Sequence, residues 1–355
     1  MQKYRNILIP SIVNLGDVLL ATAAVSLLKK QYPRAKITMM VRPIAAEILQ
    51  NHPLIDEVIV YDYKSKDKPI GKILALVRTL RARKFDLSIC FDRKLRTSVL
   101  SLMAGIPVRV GIDHVVDNRR SLMTYLYTDV IIIPHDNVIH QVETYQAIIR
   151  KFTGCHGSMV PVIGAIMPEH EQRARTLLAI LPKKGTVRIG LCVKGTFALK
   201  NWPQQRFVET VEGLAAQYDA SFFIIGALED KAYAAQVIAK TKTPIVNFCG
   251  QTGLMDLAAL LHRTDLFITV DTGASHIGAV VGVPMVTIFG CTSPKMWRPI
   301  SDKALVISSN ERCCPCNVGY NECLKHRCMN NISVDQVLEK AELVLDLYKY
   351  EVKSI

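Results

Sequence analysis

The feature that most constrains the fold of this chain is a repeated alternation between short, largely apolar runs and longer segments of helical periodicity. In the N-terminal part, apolar runs cover residues 7–13, 37–41, 58–61 and 87–91, and helical patterns cover residues 18–32, 43–50 and 70–83. Strands that are apolar without a polar alternation are covered on both faces, which is typical of parallel sheets. The pattern predicts an α/β fold with a doubly wound parallel sheet.

A second series of the same kind follows, with apolar runs at residues 187–193, 221–225, 245–248, 266–270 and 285–289. Between the two series, residues 153–168 contain three glycines and two prolines, so we predict a linker that ends before residue 183. The predicted domains are 1–165 and 183–332. A terminal helix is predicted in 333–355, and packing back toward the N-terminal domain is one expectation for it. Ligands of open parallel sheets bind outside the carboxyl ends of the strands, which predicts a cleft between the domains.

Basic residues are concentrated in the first half of the chain. The net charge is +13, and residues 1–160 contribute 23 lysines and arginines against 13 aspartates and glutamates, a net +10. The densest stretch contains Lys64, Lys66, Lys68, Lys72, Arg78, Arg81, Arg83, Lys84, Arg93, Lys94 and Arg96. This stretch is either a solvated helix face or a surface for anionic lipid or phosphorylated glycan. Aromatic residues are only 7% of the chain, too few for base stacking, so we predict no nucleic-acid partner.

No apolar run reaches the roughly 18 to 20 residues that cross a bilayer, and the N-terminus lacks the pattern of a secretory signal. Ten cysteines in 355 residues fall well short of the density of a disulfide scaffold. A cytoplasmic location is therefore predicted.

The first candidate site follows the first strand, at Asn14-Leu15-Gly16-Asp17. Gly16 would let a ligand approach the backbone closely. Asp17 has two interpretations: it caps the following helix and complements the helix dipole, or it is a general base kept ionised by that dipole.

The second candidate site is the loop of residues 194–203. A small hydroxyl at Thr196 and the charge of Lys200 suit a diphosphate, although a lysine in a surface loop is usually only solvated. The loop is not a Walker motif, because no Gly-Lys-Ser/Thr ends a glycine-spaced run.

The third and most specific candidate is Asp271-Thr272-Gly273, which joins a buried strand to a helix that contains His276. Free N–H groups and the dipole at such a helix start hold an anion. His276 is either a ligand contact or a core histidine. Glu229, after an earlier strand, is a candidate for a ribose contact, and either Glu229 or Asp230 is expected to cap the next helix.

A cysteine cluster near the C-terminus contains Cys313, Cys314, Cys316, Cys323 and Cys328. Reduced, partly buried thiols are the first interpretation. A structural zinc on Cys313, Cys316, Cys323 and Cys328 is a weaker one, because the spacing does not match paired C-x-x-C motifs, and a reversible disulfide comes third.

Three motifs together resemble the bacterial ADP-heptose:lipopolysaccharide heptosyltransferases of glycosyltransferase family nine, over essentially the whole chain. They are Leu15-Gly16-Asp17, Thr196 with Lys200-Asn201-Trp202-Pro203, and Val270 to His276 followed by Gly282-Val283-Pro284. The resemblance implies a GT-B fold, in which two Rossmann-like domains face a central cleft. It places the acceptor on the N-terminal domain and the nucleotide-sugar on the C-terminal one.

The resemblance also implies roles for individual residues. It makes Asp17 the general base, Thr196 and Lys200 the phosphate contacts, and Glu229 the ribose contact, a match that could equally fall on Asp230. The other donor contacts are Asp271, Thr272, Gly273 and His276, and the acceptor-side residues are Gly16, Arg93 and Arg96. One departure is Gly195, at a position where family members often have a second hydroxyl residue.

By this resemblance the chain is an inverting enzyme that moves heptose from ADP-L-glycero-D-manno-heptose to lipid A-Kdo or a heptosylated core during lipopolysaccharide biosynthesis. It would act as a peripheral protein at the cytoplasmic face of the inner membrane. No cofactor and no catalytic metal are expected, because no carboxylate pair has clear metal-ligand spacing. The alternatives are a family member with another nucleotide-sugar or glycan acceptor, and a non-catalytic glycan- or lipid-surface-binding relative. An NAD-dependent dehydrogenase is disfavoured, because the first strand-helix turn lacks Gly-x-Gly-x-x-Gly.

Overall fold

A computed structural model describes residues 3–113, 122–133, 139–182, 187–316, 323 and 325–348. The chain divides into two compact units, Met1–Ala165 and Ile166–Ile355. The position at which the sequence predicts the second domain to begin, residue 183, lies outside the described residues, as do residues 349–355 of the predicted terminal segment.

The described part of the first unit contains a six-stranded parallel sheet with the order β3-β2-β1-β4-β5-β6. Its strands are β1 (Asn6–Ser11), β2 (Lys36–Val41), β3 (Glu57–Val60), β4 (Leu87–Cys90), β5 (Val108–Asp113) and β6 (Asp129–Ile132). Its helices are α1 (Leu15–Gln31), α2 (Pro43–Ala46), α3 (Ile70–Ala82), α4 (Leu95–Met103) and α5 (Gln141–Thr153), with 3-10 turns at Glu47–Leu49 and Leu122–Leu126. This arrangement confirms the predicted doubly wound α/β fold.

Helices cover this sheet because its strands are apolar on both faces. Val77 and Leu80 of α3 and Leu100 of α4 share one core with Leu8 and Met40 of the strands. Helix α1 packs against α5. Helix α1 begins three residues earlier than the apolar periodicity predicts, and Asp17 therefore lies inside its first turn.

The described part of the second unit repeats the architecture, with the strand order β12-β11-β10-β7-β8-β9, all parallel. Its strands are β7 (Val187–Cys192), β8 (Ala220–Ile224), β9 (Ile245–Asn247), β10 (Leu266–Val270), β11 (Met285–Phe289) and β12 (Ala304–Ser308). Its helices are α6 (Pro168–Leu178), α7 (Gln204–Gln217), α8 (Lys231–Ile238), α9 (Leu254–His262), α10 (Gly273–Val281), α11 (Pro294–Trp297), α12 (Arg327–Asn330) and α13 (Val334–Tyr348), with 3-10 turns at Ala198–Lys200 and Leu228–Asp230.

Two helices of the second unit differ from expectation, α6 in its presence and α13 in its packing. Helix α6 lies in the stretch before residue 183 and packs against α9, where Arg263 Nε donates to Glu171 Oε2 over 2.6 Å. Proline at the first position of α6 and two glutamates in its first turn explain why a helix begins there. Helix α13, for which packing toward the N-terminal domain was one expected option, packs against α7 and strands β10 to β12 of its own unit.

No helix in the described ranges has the length and apolar character needed to span a bilayer.

Candidate active site

Each sheet has one point at which the strand order reverses, and the candidate residues gather there. In the first unit the connections leave β1 and its neighbour β4 in opposite directions, and in the second unit β7 and its neighbour β10 do the same. The loops that follow such a pair of strands separate and leave a crevice at the carboxyl edge of the sheet. Asp17 follows β1, and the Asp271-Thr272-Gly273 segment follows β10.

Asp17 is partly buried in the first turn of α1, where the helix dipole favours a carboxylate. The residue at the N-cap position of this helix is Asn14, not Asp17. The Tyr145 hydroxyl on α5 donates to Asp17 Oδ1 over 3.2 Å. Burial, and then the charge of Asp17, hold the pKa of Tyr145 well above its ordinary value, so this partner stays a neutral donor.

A second carboxyl group, Asp92, lies two residues after β4 and therefore on the other side of the same crevice. It is 8% exposed. The Thr97 hydroxyl donates to its Oδ1 over 2.5 Å, and the Lys94 N–H donates to the same oxygen over 3.3 Å. Burial, assisted by the negative charge of Asp17, raises the pKa of Asp92 to about 6.

Basic side chains surround this edge of the first sheet. Lys94 Nζ donates to the Ile12 carbonyl oxygen over 3.3 Å, which ties the loop after β4 to the loop after β1. Arg42 donates to Asn14 Oδ1 over 3.2 Å, and the Arg96 guanidinium lies 3.8 Å from the centre of the Tyr63 ring. Burial lowers the pKa of Arg93, the other arginine that we assign to the acceptor side.

In the second unit, Lys200 and Asp271 form an ion pair between the loop after β7 and the end of β10. Lys200 Nζ lies 2.6 Å from Asp271 Oδ2, and their side chains are only 14% and 6% exposed. The Thr292 hydroxyl donates to the same carboxylate oxygen over 2.7 Å. The structure therefore brings together two residues that were assigned to the donor from separate motifs.

The loop that carries Thr196 depends on the glycine that precedes it. The Gly195 N–H donates to Asn201 Oδ1 over 2.7 Å, and a Cβ on Gly195 would lie 2.5 Å from the Lys200 Cβ. A hydroxyl residue at this position would displace Lys200, which accounts for the departure from the family pattern. Thr196 itself is exposed.

The two acidic residues in the segment after β8 have different surroundings. Asp230 pairs with Lys194 over 2.6 Å and accepts the Ala227 N–H over 3.0 Å, so it holds the local turn. The hydrogen bond that Lys194 donates to Asp230 raises the pKa of Lys194. Glu229 is exposed on the same turn and is the residue available to a ligand.

Strand β10 passes directly into α10, as the Asp-Thr-Gly motif predicts. Thr272 is the N-cap residue and Gly273 the first helical residue, both partly exposed at the edge of the sheet. The first N–H groups of a helix have no intrahelical acceptor and are available to an anion. His276 is buried in the first turns of this helix.

The cysteine cluster packs mainly into the second unit. Cys328 belongs to its core, with Cys314, Cys316 and Cys323 packed against that core, and the Cys316 N–H donates to the Cys291 carbonyl over 2.8 Å. All ten cysteines are free thiols. Within the part of the chain that the structure describes, no group of three or more histidine, cysteine or acidic side chains is arranged to hold a metal ion.

Comparison with known proteins decides the family. Residues 73–326 match the profile of glycosyltransferase family 9 (heptosyltransferase), which is well over half of the chain. The chain belongs to glycosyltransferase family 9. This transferase is 26% identical to the lipopolysaccharide heptosyltransferase 3 of Escherichia coli, over 82% of its own length and 85% of that protein.

Solved structures share the fold of this transferase at low sequence identity. A family 9 glycosyltransferase from Veillonella parvula DSM 2008 superposes with a TM-score of 0.82 at 24% identity, covering 98% of both chains. The E. coli ADP-heptose lipopolysaccharide heptosyltransferase II superposes with a TM-score of 0.78 at 21% identity, covering 97% of this chain and 99% of that one. The expected GT-B fold is thereby confirmed.

Sequence patterns did not single out every residue that this transferase places at the two sheet edges. Asp92 lies within the basic stretch and, like Tyr145 and Thr292, belongs to none of the three motifs. Asp92 and Thr292 come close to motif residues through strand order, and Tyr145 does so through the packing of α5 against α1. The available signal was weak: Asp92 follows an apolar strand just as Asp17 does.

Proposed function

We propose that this transferase moves a heptose from ADP-L-glycero-D-manno-heptose to a glycan of the lipopolysaccharide core, with inversion at the anomeric carbon. The observation that carries the proposal is the pairing of chemistries at the two switch points. One has a carboxylate with a neutral hydroxyl donor, and the other has a lysine beside a helix N-terminus. The family match and the names of the relatives support the sugar and the nucleotide.

The donor diphosphate would lie against the start of α10. Lys200, the Thr196 hydroxyl and the N–H groups after Thr272 would offset the charge that develops on the leaving group. Lys200 already forms an ion pair with Asp271, so a bound diphosphate would compete with that carboxylate for the lysine. Asp271, Thr272, Gly273 and His276 would complete the sugar and diphosphate contacts, and Glu229 would accept from the ribose hydroxyls.

The reaction would be a single displacement. The acceptor oxygen forms its bond to the anomeric carbon of the heptose while the bond from that carbon to the diphosphate oxygen breaks. The acceptor proton passes to Asp17, and the electron pair of the broken bond leaves with ADP. A carboxylate suits this step because the acceptor hydroxyl becomes acidic only as its new bond forms.

The acceptor would bind at the first sheet, with Gly16 allowing close approach and Arg93 and Arg96 facing its anionic groups. Strand β3 ends and α3 begins at this same edge, because all the strands are parallel. The exposed apolar residues Ile70 and Leu74 of α3 adjoin the exposed Lys64, Lys66, Lys68 and Lys72. This combination suits the anionic surface of a membrane that holds a lipid-linked acceptor such as lipid A-Kdo or its heptosylated form, at the cytoplasmic face of the inner membrane.

The test is the release of ADP from ADP-heptose by the purified protein, with and without heptose-deficient lipopolysaccharide core. We expect release only with acceptor, unchanged by EDTA, and lost in Asp17→Ala. Release that stops on chelation would refute the expectation that no metal is needed. Donor binding without release on any core acceptor would refute the acceptor assignment, and no donor binding at all would refute the proposed donor.

A further inference from the structure

The first switch point contains two carboxyl groups, and the displacement described above uses only Asp17. Asp92 follows β4 as Asp17 follows β1, and these strands are neighbours in register, with Ile7 opposite Leu87. The Lys94 side chain, which donates to the Ile12 carbonyl, holds the two loops together. The two carboxyl groups interact electrostatically across this crevice.

The surroundings of Asp92 differ from those of a carboxylate that is solvated at the protein surface. Its side chain is more than nine-tenths buried. One oxygen accepts from Thr97 and from the Lys94 backbone, while the other, Oδ2, is buried and has no hydrogen-bond partner among the described residues. A buried carboxylate oxygen left without a donor is unfavourable, so a fold gains nothing in stability from placing it there.

The titratable and charged groups around Asp92 come from several elements. Lys94 and Asp17 act on it from the loop before α4 and from α1. Cys90 on β4, Tyr127 before β6 and Tyr145 on α5 are the other titratable groups that interact with it. Burial raises the pKa of each of these three, so they stay neutral at ordinary pH and Asp17 is the acidic neighbour that carries charge.

We propose that Asp92 is a positioning residue for Asp17: its carboxylate, when ionised, repels the charge of Asp17 and so strengthens Asp17 as a base. Repulsion between two carboxylates acts equally on both partners. Because Asp17 raises the proton affinity of Asp92, ionised Asp92 raises the proton affinity of Asp17 in return. Tyr145 keeps Asp17 oriented, and Thr97 keeps Asp92 ionised near neutral pH. The proposal rests on the proposed function, because it assigns Asp17 the acceptor proton.

The first experiment needs no substrate. In protein labelled with ¹³C at the aspartate carboxyl groups, one resonance should titrate near pH 6 and be missing in Asp92→Asn. In Asp17→Asn the same resonance should titrate at lower pH, because the repelling charge is gone. The control Asp129→Asn, at the far edge β6 of the same sheet, should leave it unchanged. An Asp92 titration that is the same in wild type and in Asp17→Asn would overturn the proposal.

The second experiment is the pH dependence of ADP release. For the wild type we expect kcat to fall on the acidic side as Asp92 is protonated. Asp92→Asn should lower kcat at pH 8 by about tenfold, leave the KM for the donor unchanged and remove that acidic step. Thr97→Val, which removes a hydrogen bond to the ionised form, should move the step to higher pH.

These outcomes separate the two proposals. A merely structural role for Asp92 would change activity equally at every pH and would give no opposite shifts in the Asp17 and Thr97 variants. If Asp92→Asn does not fold, the Asp17→Asn and Thr97→Val titrations still decide, because both keep Asp92. If the wild type releases no ADP, the proposed function fails, while the carboxyl titrations still support or overturn the coupling.

Discussion

The two switch points of this transferase have the same strand arrangement, but the carboxylates at each have different partners. In the second unit, Asp271 after β10 and Asp230 after β8 each lie 2.6 Å from a lysine that follows β7, Asp271 from Lys200 and Asp230 from Lys194. In the first unit the aspartates accept from hydroxyl groups, Asp17 from Tyr145 and Asp92 from Thr97. The strand order is equivalent in the two sheets, so the difference lies in the loop residues.

The difference has chemical consequences. An adjacent lysine keeps a carboxylate ionised and is itself a cation that an incoming phosphate can compete for, which suits anion binding. A hydroxyl donor neutralises less charge than a lysine does, so it offsets less of the effect of burial, which raises the pKa of Asp92. The first edge is therefore suited to proton transfer and the second to a diphosphate.

The largest expected effect comes from removing the base at the first edge. Asp17→Asn should lower kcat for ADP release by about 10²- to 10⁴-fold, the usual contribution of a general base. Donor affinity should not change, since the proposed donor contacts are in the other unit. Calorimetric titration with ADP and steady-state kinetics check both parts, with Asp129→Asn as the matched control. Weakened ADP binding in Asp17→Asn would break the assignment of separate tasks to the two edges.

The next effect concerns the lysine at the second edge. Lys200→Met should weaken ADP binding by about 10- to 100-fold, because a hydrogen bond to a charged group contributes about 1.5–3 kcal/mol. It should also lower the melting temperature, since it leaves the Asp271 carboxylate buried without its cation.

The control for the lysine variant is Lys242→Met, an exposed lysine in the same unit. Adding Asp271→Asn to Lys200→Met should recover stability but not ADP affinity. Recovery of both would mean that Lys200 only neutralises Asp271 and does not contact the donor.

The sequence predicted the fold well because burial on both faces leaves a direct record in the residues. The largely apolar runs at β1, β2, β10 and β11 mark parallel strands, and the Asp-Thr-Gly turn marks the start of α10. Helix α6 escaped prediction because most of its residues are polar, and its packing against α9 is a tertiary contact.

The candidate site was predicted in part, for a physical reason. Asp17, Lys200 and Asp271 each lie within a local motif, but the Lys200–Asp271 ion pair joins residues about seventy positions apart through the pairing of β7 with β10. Asp92 has no local motif, and its burial and proximity to Asp17 arise only when β4 is placed beside β1. Strand order is a tertiary property, so such pairings cannot be deduced from one segment at a time.

A smaller effect tests the first edge through stability. The folded-state pKa of Asp92, about 6, lies above its ordinary value of 3.8, so the folded protein loses stability as the pH rises through this range and the buried group ionises. Asp92→Asn cannot ionise and should gain about 1–3 kcal/mol relative to the wild type at pH 8, with little difference at pH 4. Thermal melts of both proteins at these two pH values measure the gain. If the stability difference between the two proteins is equal at both pH values, ionisation of Asp92 does not destabilise the folded protein.

The smallest expected effect concerns the approach of the acceptor to the first edge. Ile70 and Leu74 are 76% and 42% exposed beside a basic segment, whereas Leu228 and Leu343 of the second unit are 69% and 42% exposed beside acidic residues. Replacing Ile70 and Leu74 by serine should lower partitioning onto phosphatidylglycerol-containing vesicles by about tenfold, since two partly inserted side chains contribute about 1–2 kcal/mol. The matched Leu228→Ser/Leu343→Ser variant should bind as the wild type does, and binding should fall with added salt because the lysines contribute. Equal losses of binding in the two variants, or equal binding of the wild type to phosphatidylcholine vesicles, would show that the basic edge has no special affinity for an anionic membrane. The acceptor would then have to reach Asp17 by its own affinity for Arg93 and Arg96.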